Sequence, residues 1–169
     1  MRHPWLQLNL VTAFLAAFVV SLFEDTIAQV VVLAAFLPVL AGQSGNTGCQ
    51  SLAVTIRALT LDEFKPGVFR QVLAKETLLG TLNGAIVGLV AGIAMIAYAI
   101  HAGAAEPVTL GLVVFLAMTG ACVASGMTGV LVPVTLQRLG ADPATASSIF
   151  LTTATDVVSM GLFLWLASL

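Results

Sequence analysis

The chain has 169 residues, of which 59% are hydrophobic and only 8% are charged, and its formal net charge is −2. Its mean hydropathy of +1.07 lies far outside the range of soluble domains. The composition therefore excludes a soluble domain and predicts a protein embedded in the lipid bilayer, with no nucleic-acid partner.

Five apolar runs are long enough to span a bilayer, and they fill nearly the whole chain. A helix needs about 20 apolar residues to cross the hydrocarbon core, and these runs are too long and continuous for barrel strands. We therefore predict a single all-α membrane domain over residues 1–169, with five transmembrane helices per subunit. The predicted spans are residues 5–23, 27–59, 72–100, 108–136 and 145–169.

The basic residues predict how these spans are oriented. With five spans, all of them fall on one side of the membrane: Arg2, Arg57, Lys65, Arg70, Lys75 and Arg138. Because basic loops stay in the cytoplasm, we expect this side to be cytoplasmic. The predicted location is the cell (inner) membrane, with the N-terminus in the cytoplasm and the C-terminus outside.

The second run, residues 27–59, is too long for one straight helix across a bilayer. Its middle, residues 38–50, contains a proline, three glycines including Gly42, and the polar side chains of Asn46 and Gln50. Non-helical backbone at membrane depth survives only when it is buried in protein or lines a wet cavity. We predict that the second span is interrupted here and lines an ion pathway. Simple packing at a tight helix crossing is the alternative.

The third run contrasts with the second. Its glycines recur at a spacing of four, at positions 80, 84, 88 and 92, so they form one stripe along a helix face. This pattern predicts a close-packing surface against another span. Glu76 lies at the cytoplasmic start of the same run, near Lys75 and Arg70. It is interpreted as a helix-end charge, and a role as a transport ligand stays open.

The last run carries one carboxylate, Asp156, near its middle. A helix rises about 1.5 Å per residue, so this group lies roughly 15 Å from either surface of a bilayer. An ionised group there costs at least about 2.5–3.5 kcal/mol, which favours an ion pathway or a binding site. A protonated Asp bonded to a neighbouring helix is the alternative. Helical spacing places the polar residues Thr145, Ser148, Thr152 and Ser159 on the same stripe, which is predicted to line water.

One carboxylate is too little to hold a divalent ion. Two copies of Asp156 facing each other across a twofold axis supply two negative charges, and symmetric dimers are the commonest oligomers. Mg²⁺ dehydrates reluctantly and usually keeps several waters. A homodimer with paired carboxylates around a hydrated ion therefore suits Mg²⁺ and binds it weakly enough for release.

Several motifs together resemble the transmembrane domain of MgtE-type magnesium channels. The similarity runs in order over essentially the whole chain. The motifs are residues 3–9 (HPWLQLN), 38–50 with the core Gly45-Asn46-Thr47-Gly48-Cys49-Gln50, 75–84 (KETLLGTLNG), 142–144 (DPA) and 152–156 (TTATD). The resemblance implies a homodimer of five-span subunits, with a pore on the dimer axis lined mainly by the second and fifth spans.

The resemblance also implies roles for particular residues. Asp156 matches the family aspartate that holds a hydrated Mg²⁺ in the pore, and the backbone carbonyl of Thr152 matches a second group facing the ion. The element in the second span implies that Gly45, Asn46, Gly48 and Gln50 line the pore. Typical family members carry cytoplasmic regulatory domains before the first span, and we expect none in this chain. Without such domains, we expect the channel to be gated at its own pore mouth or by a separate regulatory partner, or to stay open.

Two other classes of function remain open. The first is a secondary transporter exchanging Mg²⁺ against Na⁺ or H⁺, because an interrupted helix at the midplane serves transporters as readily as channels. The second is a non-conducting assembly subunit in which Asp156 fixes a helix contact. An enzyme is not expected, because no nucleophile–base pair or nucleotide loop is present. Oxygen ligands alone do not determine whether the site selects Mg²⁺, Mn²⁺, Co²⁺ or Ca²⁺.

Overall fold

The computed structural model describes residues 3–64 and 67–169, and all regular secondary structure in this part is α-helical. The predicted all-α class is thereby confirmed for these residues. The helices are α1 (His3–Ser21), α2 (Glu24–Gln29), α3 (Val32–Thr60), α4 (Val68–His101), α5 (Pro107–Arg138) and α6 (Pro143–Ala167).

Three of these helices, α4, α5 and α6, are long and apolar enough to cross a membrane. Helix α1 is apolar but shorter. Helix α3 has 29 residues and is long enough, but its middle carries Gln43, Asn46 and Gln50. The lengths and hydropathies therefore support a membrane protein, while spanning by α1 and α3 stays a prediction.

The predicted interruption of the second span at residues 38–50 is wrong. Helix α3 continues from Val32 to Thr60 with Pro38 inside it, and the backbone break lies earlier, between α2 and α3. Pro38 removes one helical hydrogen bond on an exposed face, so the loss is local. At Gly48 a Cβ would lie 2.9 Å from Leu151 Cδ1, so a helical glycine permits close packing on α6. The tight crossing, given above as the alternative, describes this segment better.

The glycine stripe of α4 is a close-packing surface, as predicted. A Cβ on Gly80 would lie 2.6 Å from the Cys122 carbonyl oxygen, and one on Gly92 would lie 2.7 Å from that of Gly111. Backbone therefore meets backbone along the crossing, which leaves no room for a side chain. Residue numbers on α5 fall as those of their contacts on α4 rise, so the two helices are antiparallel.

The described arginines lie toward one end of the helical bundle, whereas acidic residues lie at both ends. At one end, which we call the basic end, the Arg138 guanidinium carbon lies 5.8 Å from the centre of the Phe69 ring, so α5 ends where α4 begins. Arg57 is in the last turn of α3, at the same end. At the other end, the acidic end, α2 carries Glu24 and Asp25 in its first turn. Arg2 and Lys65, which the sequence assigns to the basic side, lie outside the described residues.

The apolar core fills the acidic half of the bundle. It is built from the N-terminal halves of α3 and α5 and the C-terminal halves of α4 and α6. Its largest fully buried side chains include Phe163, Leu33, Leu40, Met95 and Met118. Because this half is packed with side chains, the polar cavities described below lie nearer the basic end.

Candidate ion pathway

Helix α6 starts at a well-formed cap, which fixes the direction of every side chain after it. The Asp142 carboxylate accepts a hydrogen bond from the Ala144 backbone N–H at 3.0 Å, and Pro143 occupies the first helical position. The Thr145 hydroxyl donates to the same carboxylate at 3.1 Å. Asp142 therefore caps α6, since a side-chain oxygen at this position satisfies one of the free N–H groups of the first turn.

The polar residues predicted on α6 open into a cavity between α1 and α6. This cavity, which we call the α1–α6 groove, has a volume of about 830 Å³. Ser148 and Thr152 line it from α6, and Asn9 lines it from α1. At about 30 Å³ per molecule in liquid water, the groove has room for many waters. Its walls carry the hydroxyl and amide groups that such water requires.

Asp156 lies one helical turn beyond Thr152, toward the middle of the bundle. Residues four apart share a face, so the carboxylate continues the polar stripe of the groove. Its side chain is neither fully buried nor fully exposed. Within residues 3–64 and 67–169, no three His, Cys, Asp or Glu side chains form a metal-binding group. Each subunit therefore offers this face a single carboxylate.

The carbonyl of Thr152, predicted to face the ion, already accepts a side-chain hydrogen bond. The Thr155 hydroxyl donates to it at 3.0 Å. In a continuous helix the same oxygen also accepts the N–H four residues later, so both of its lone pairs have donors. To contact an ion, this carbonyl must release the hydroxyl of Thr155. Its role stays a prediction.

The structure separates the lining residues predicted on α3. Asn46 and Gln50 are exposed, and Cβ atoms added at Gly42 and Gly45 would meet nothing within 4 Å. These four residues lie on open faces of α3, where lipid, water or another copy of the chain has access. Gln50 opens into a different cavity from Ser148, between α3 and α4.

Two other predicted lining residues are not on an open surface of the subunit. Gly48 is buried against α6, and Ser159 is completely buried, with its hydroxyl donating to the Asp156 carbonyl at 3.3 Å. The helical stripe thus turns into the bundle after Asp156. Periodicity places Ser159 near the stripe, but only the packing of the other helices determines how wide the exposed face is.

Sequence reasoning did not assign Asn9 or Trp5 to the pathway, although both line the α1–α6 groove. Asn9 is one of the few strongly polar residues in an otherwise apolar helix. A strongly polar residue in an apolar helix is the same signal that marked Asp156, and it was available for Asn9. Trp5 gave no such signal, because a tryptophan near a span end is typical of the membrane interface.

Comparison with known proteins identifies the family. The family model of MgtE, described as a divalent cation transporter, matches residues 37–166. The chain belongs to the MgtE family. Its relatives are named as transporters and not as enzymes, in agreement with the expectation from the sequence.

Individual MgtE relatives match along almost the whole chain. The chain is 34% identical over 167 residues to the magnesium transporter MgtE of Bacillus subtilis. It is 33% identical over 168 residues to that of Enterococcus faecalis and 31% identical over 173 residues to that of Thermus thermophilus. Each match covers 99% of this chain but only 36% of the relative, so the chain spans about a third of the length of these proteins.

Proposed function

We propose that this MgtE-family chain forms a homodimeric channel for Mg²⁺, with the pore on the twofold axis and a hydrated ion held between paired Asp156 carboxylates. The observation that carries the proposal is the position of Asp156, at mid-helix on α6 and one helical turn beyond Thr152, which lines the α1–α6 groove. Relatives named as magnesium transporters supply the choice of ion.

The proposed dimer is supported by the amount of negative charge that a divalent cation requires. One carboxylate balances half of a divalent cation, and a second copy related by a twofold axis brings the same group to the same point. Mg²⁺ keeps several of its waters, so the polar walls of the groove are suitable partners for its hydration shell. Carboxylate and carbonyl oxygens also accept Mn²⁺, Co²⁺ and Ca²⁺, which we propose as alternative cargo.

The proposed topology has five spans in the inner membrane, namely α1, α3, α4, α5 and α6. The grouping of Arg57, Arg70 and Arg138 at the basic end supports placing that end in the cytoplasm. Helix α1 then starts in the cytoplasm and α6 ends outside. The acidic end, with Glu24 and Asp25, faces the outer solution and raises the local cation concentration there.

The direct test is Mg²⁺ uptake into proteoliposomes that contain the purified chain. A channel predicts uptake that follows an inside-negative potential set with K⁺ and valinomycin, in the absence of a Na⁺ or pH gradient. The electrical driving force on a divalent ion is about 4.6 kcal/mol at 100 mV, twice the value for one charge. Uptake should therefore rise steeply as the potential is increased.

The competing exchanger makes the opposite prediction. Uptake that ignores the potential and requires an opposing Na⁺ or H⁺ gradient would replace the channel with a secondary transporter. Empty liposomes and liposomes with the potential set to zero serve as controls for leakage.

A further inference from the structure

A second polar cavity lies between α3 and α4, away from the α1–α6 groove. We call it the Glu76 groove. Its volume is about 140 Å³, and its polar lining consists of Thr47 and Gln50 from α3 and Glu76 and Asn83 from α4. At about 30 Å³ per water in the liquid, this space holds an ion together with a few waters.

Glu76 is the buried charge of this cavity. Only 7% of its surface is exposed, and among the residues that the structure describes its carboxylate has no hydrogen-bond or ion-pair partner. A buried carboxylate is stable only when it is paired, coordinated to a metal or protonated. An ordinary helix-end charge would instead extend into solvent.

The position of Glu76 is fixed by close backbone packing. A Cβ on Gly126 would lie 2.7 Å from the Glu76 carbonyl oxygen, so α4 and α5 touch directly at this level. The Ser51 hydroxyl donates to the Gly126 carbonyl at 2.8 Å, which fixes α3 at the same point. Three helices therefore meet at the backbone of Glu76, where this residue lines the groove between α3 and α4.

The polar side chains of the groove all carry oxygen atoms that can bind a cation, and Val54, Leu79 and Gly80 complete its walls. Gln50 and Asn83 bring carboxamide oxygens from the two walls of the groove. The Thr47 hydroxyl donates its proton to the Gln43 carbonyl at 3.0 Å and lies 3.5 Å from Cys122 Sγ, which leaves one oxygen lone pair available. One carboxylate, two amides and a hydroxyl form a hard ligand set of the kind that binds Mg²⁺ through retained waters.

We propose that the Glu76 groove is a cation-binding site for partly hydrated Mg²⁺, separate from Asp156, with Glu76 as its anionic ligand and Gln50 and Asn83 as neutral ligands. An ion here connects α3 to α4. The site requires no second subunit, and it does not depend on the proposed channel function.

The test is Mn²⁺ binding to the purified 169-residue chain in detergent, followed by electron paramagnetic resonance of free Mn²⁺. The background variant Asp156→Asn removes the other candidate site. We expect this variant to bind one Mn²⁺ per chain, displaced by excess Mg²⁺, and the double variant with Glu76→Gln to lose that binding. The matched control combines Asp156→Asn with Glu106→Gln, which changes an exposed carboxylate at the acidic end and should keep one Mn²⁺.

Equal Mn²⁺ binding with and without Glu76→Gln, or no binding in the Asp156→Asn background, would overturn the proposal. If Glu76→Gln fails to fold, Asn83→Asp in the same background gives an independent answer. A second carboxylate should tighten Mn²⁺ binding by about tenfold, since affinity rises with ligand charge. An unchanged dissociation constant would contradict a site in this groove, whatever the flux through the channel.

Discussion

Two carboxylates within the long helices, Asp156 and Glu76, differ in how clearly the sequence marks them. Asp156 is conspicuous in the sequence because it is the only ionisable residue within the last apolar run, and its role as an ion site stays a prediction. Glu76 follows Lys75 in the sequence and was interpreted as a helix-end charge, although the structure buries it. Its burial depends on Gly126, fifty positions later in the chain, and no local pattern reports such a contact.

Thr155 provides a test of the carbonyl predicted to face the ion. Its hydroxyl donates a hydrogen bond to the Thr152 carbonyl at 3.0 Å, and its methyl carbon would lie 3.2 Å from a Cβ on Gly48. Thr155→Val keeps the shape of the side chain and removes the competing donor. If the carbonyl contacts the ion, the Mg²⁺ concentration for half-maximal flux should fall several-fold.

The control for this prediction is Thr153→Val, because the Thr153 hydroxyl donates to the Ile149 carbonyl instead. That substitution should leave the concentration dependence unchanged. Equal behaviour of the two variants would mean that the Thr152 carbonyl takes no part in binding.

At the scale of elements, the sequence did not distinguish glycines that permit close helix packing from glycines that interrupt a helix. Regular spacing on α4 predicted a packing stripe correctly. The irregular glycines and proline of α3 predicted a broken helix, and the helix is continuous. Local propensity favours a break at such residues, but the close packing of α3 against α6 and α5 at Gly48 stabilises an unbroken helix. This packing energy comes from partners that are distant in sequence.

The two kinds of glycine should respond with opposite signs to alanine. At Gly80 a Cβ would lie 2.6 Å from a backbone oxygen, and overpacking of this kind costs about 1–3 kcal/mol. At Gly42 a Cβ would meet nothing within 4 Å, and alanine in a helix is favoured by about 1 kcal/mol.

Thermal unfolding of the purified chain in detergent measures both effects. Gly80→Ala should lower the midpoint temperature, and Gly42→Ala should leave it equal or higher. Shifts of the same sign and size would show that the α4–α5 contact is looser than the structure has it.

At the scale of the whole molecule, the helical class and the family were accessible from the sequence, whereas the assembly is not visible in one chain. The apolar core fills the acidic half, and the two polar grooves have different walls, α1 and α6 for one and α3 and α4 for the other. Gln50 and Ser148, predicted to line one pore, therefore belong to different cavities of the subunit. In the proposed dimer, a second copy of the chain brings such surfaces together, and its position depends on shape and not on sequence pattern.

The most direct measurement is potential-driven Mg²⁺ uptake by Asp156→Asn proteoliposomes, beside wild type and Asp62→Asn. Asp62 is an exposed loop residue with φ of 55°, a conformation that asparagine adopts readily, so this control makes the same chemical change without strain. Paired Asp156 carboxylates predict that uptake falls to the level of empty liposomes in Asp156→Asn, while the dimer mass in detergent stays unchanged and Asp62→Asn transports normally. Wild-type uptake by an intact Asp156→Asn dimer would contradict an ion site at Asp156.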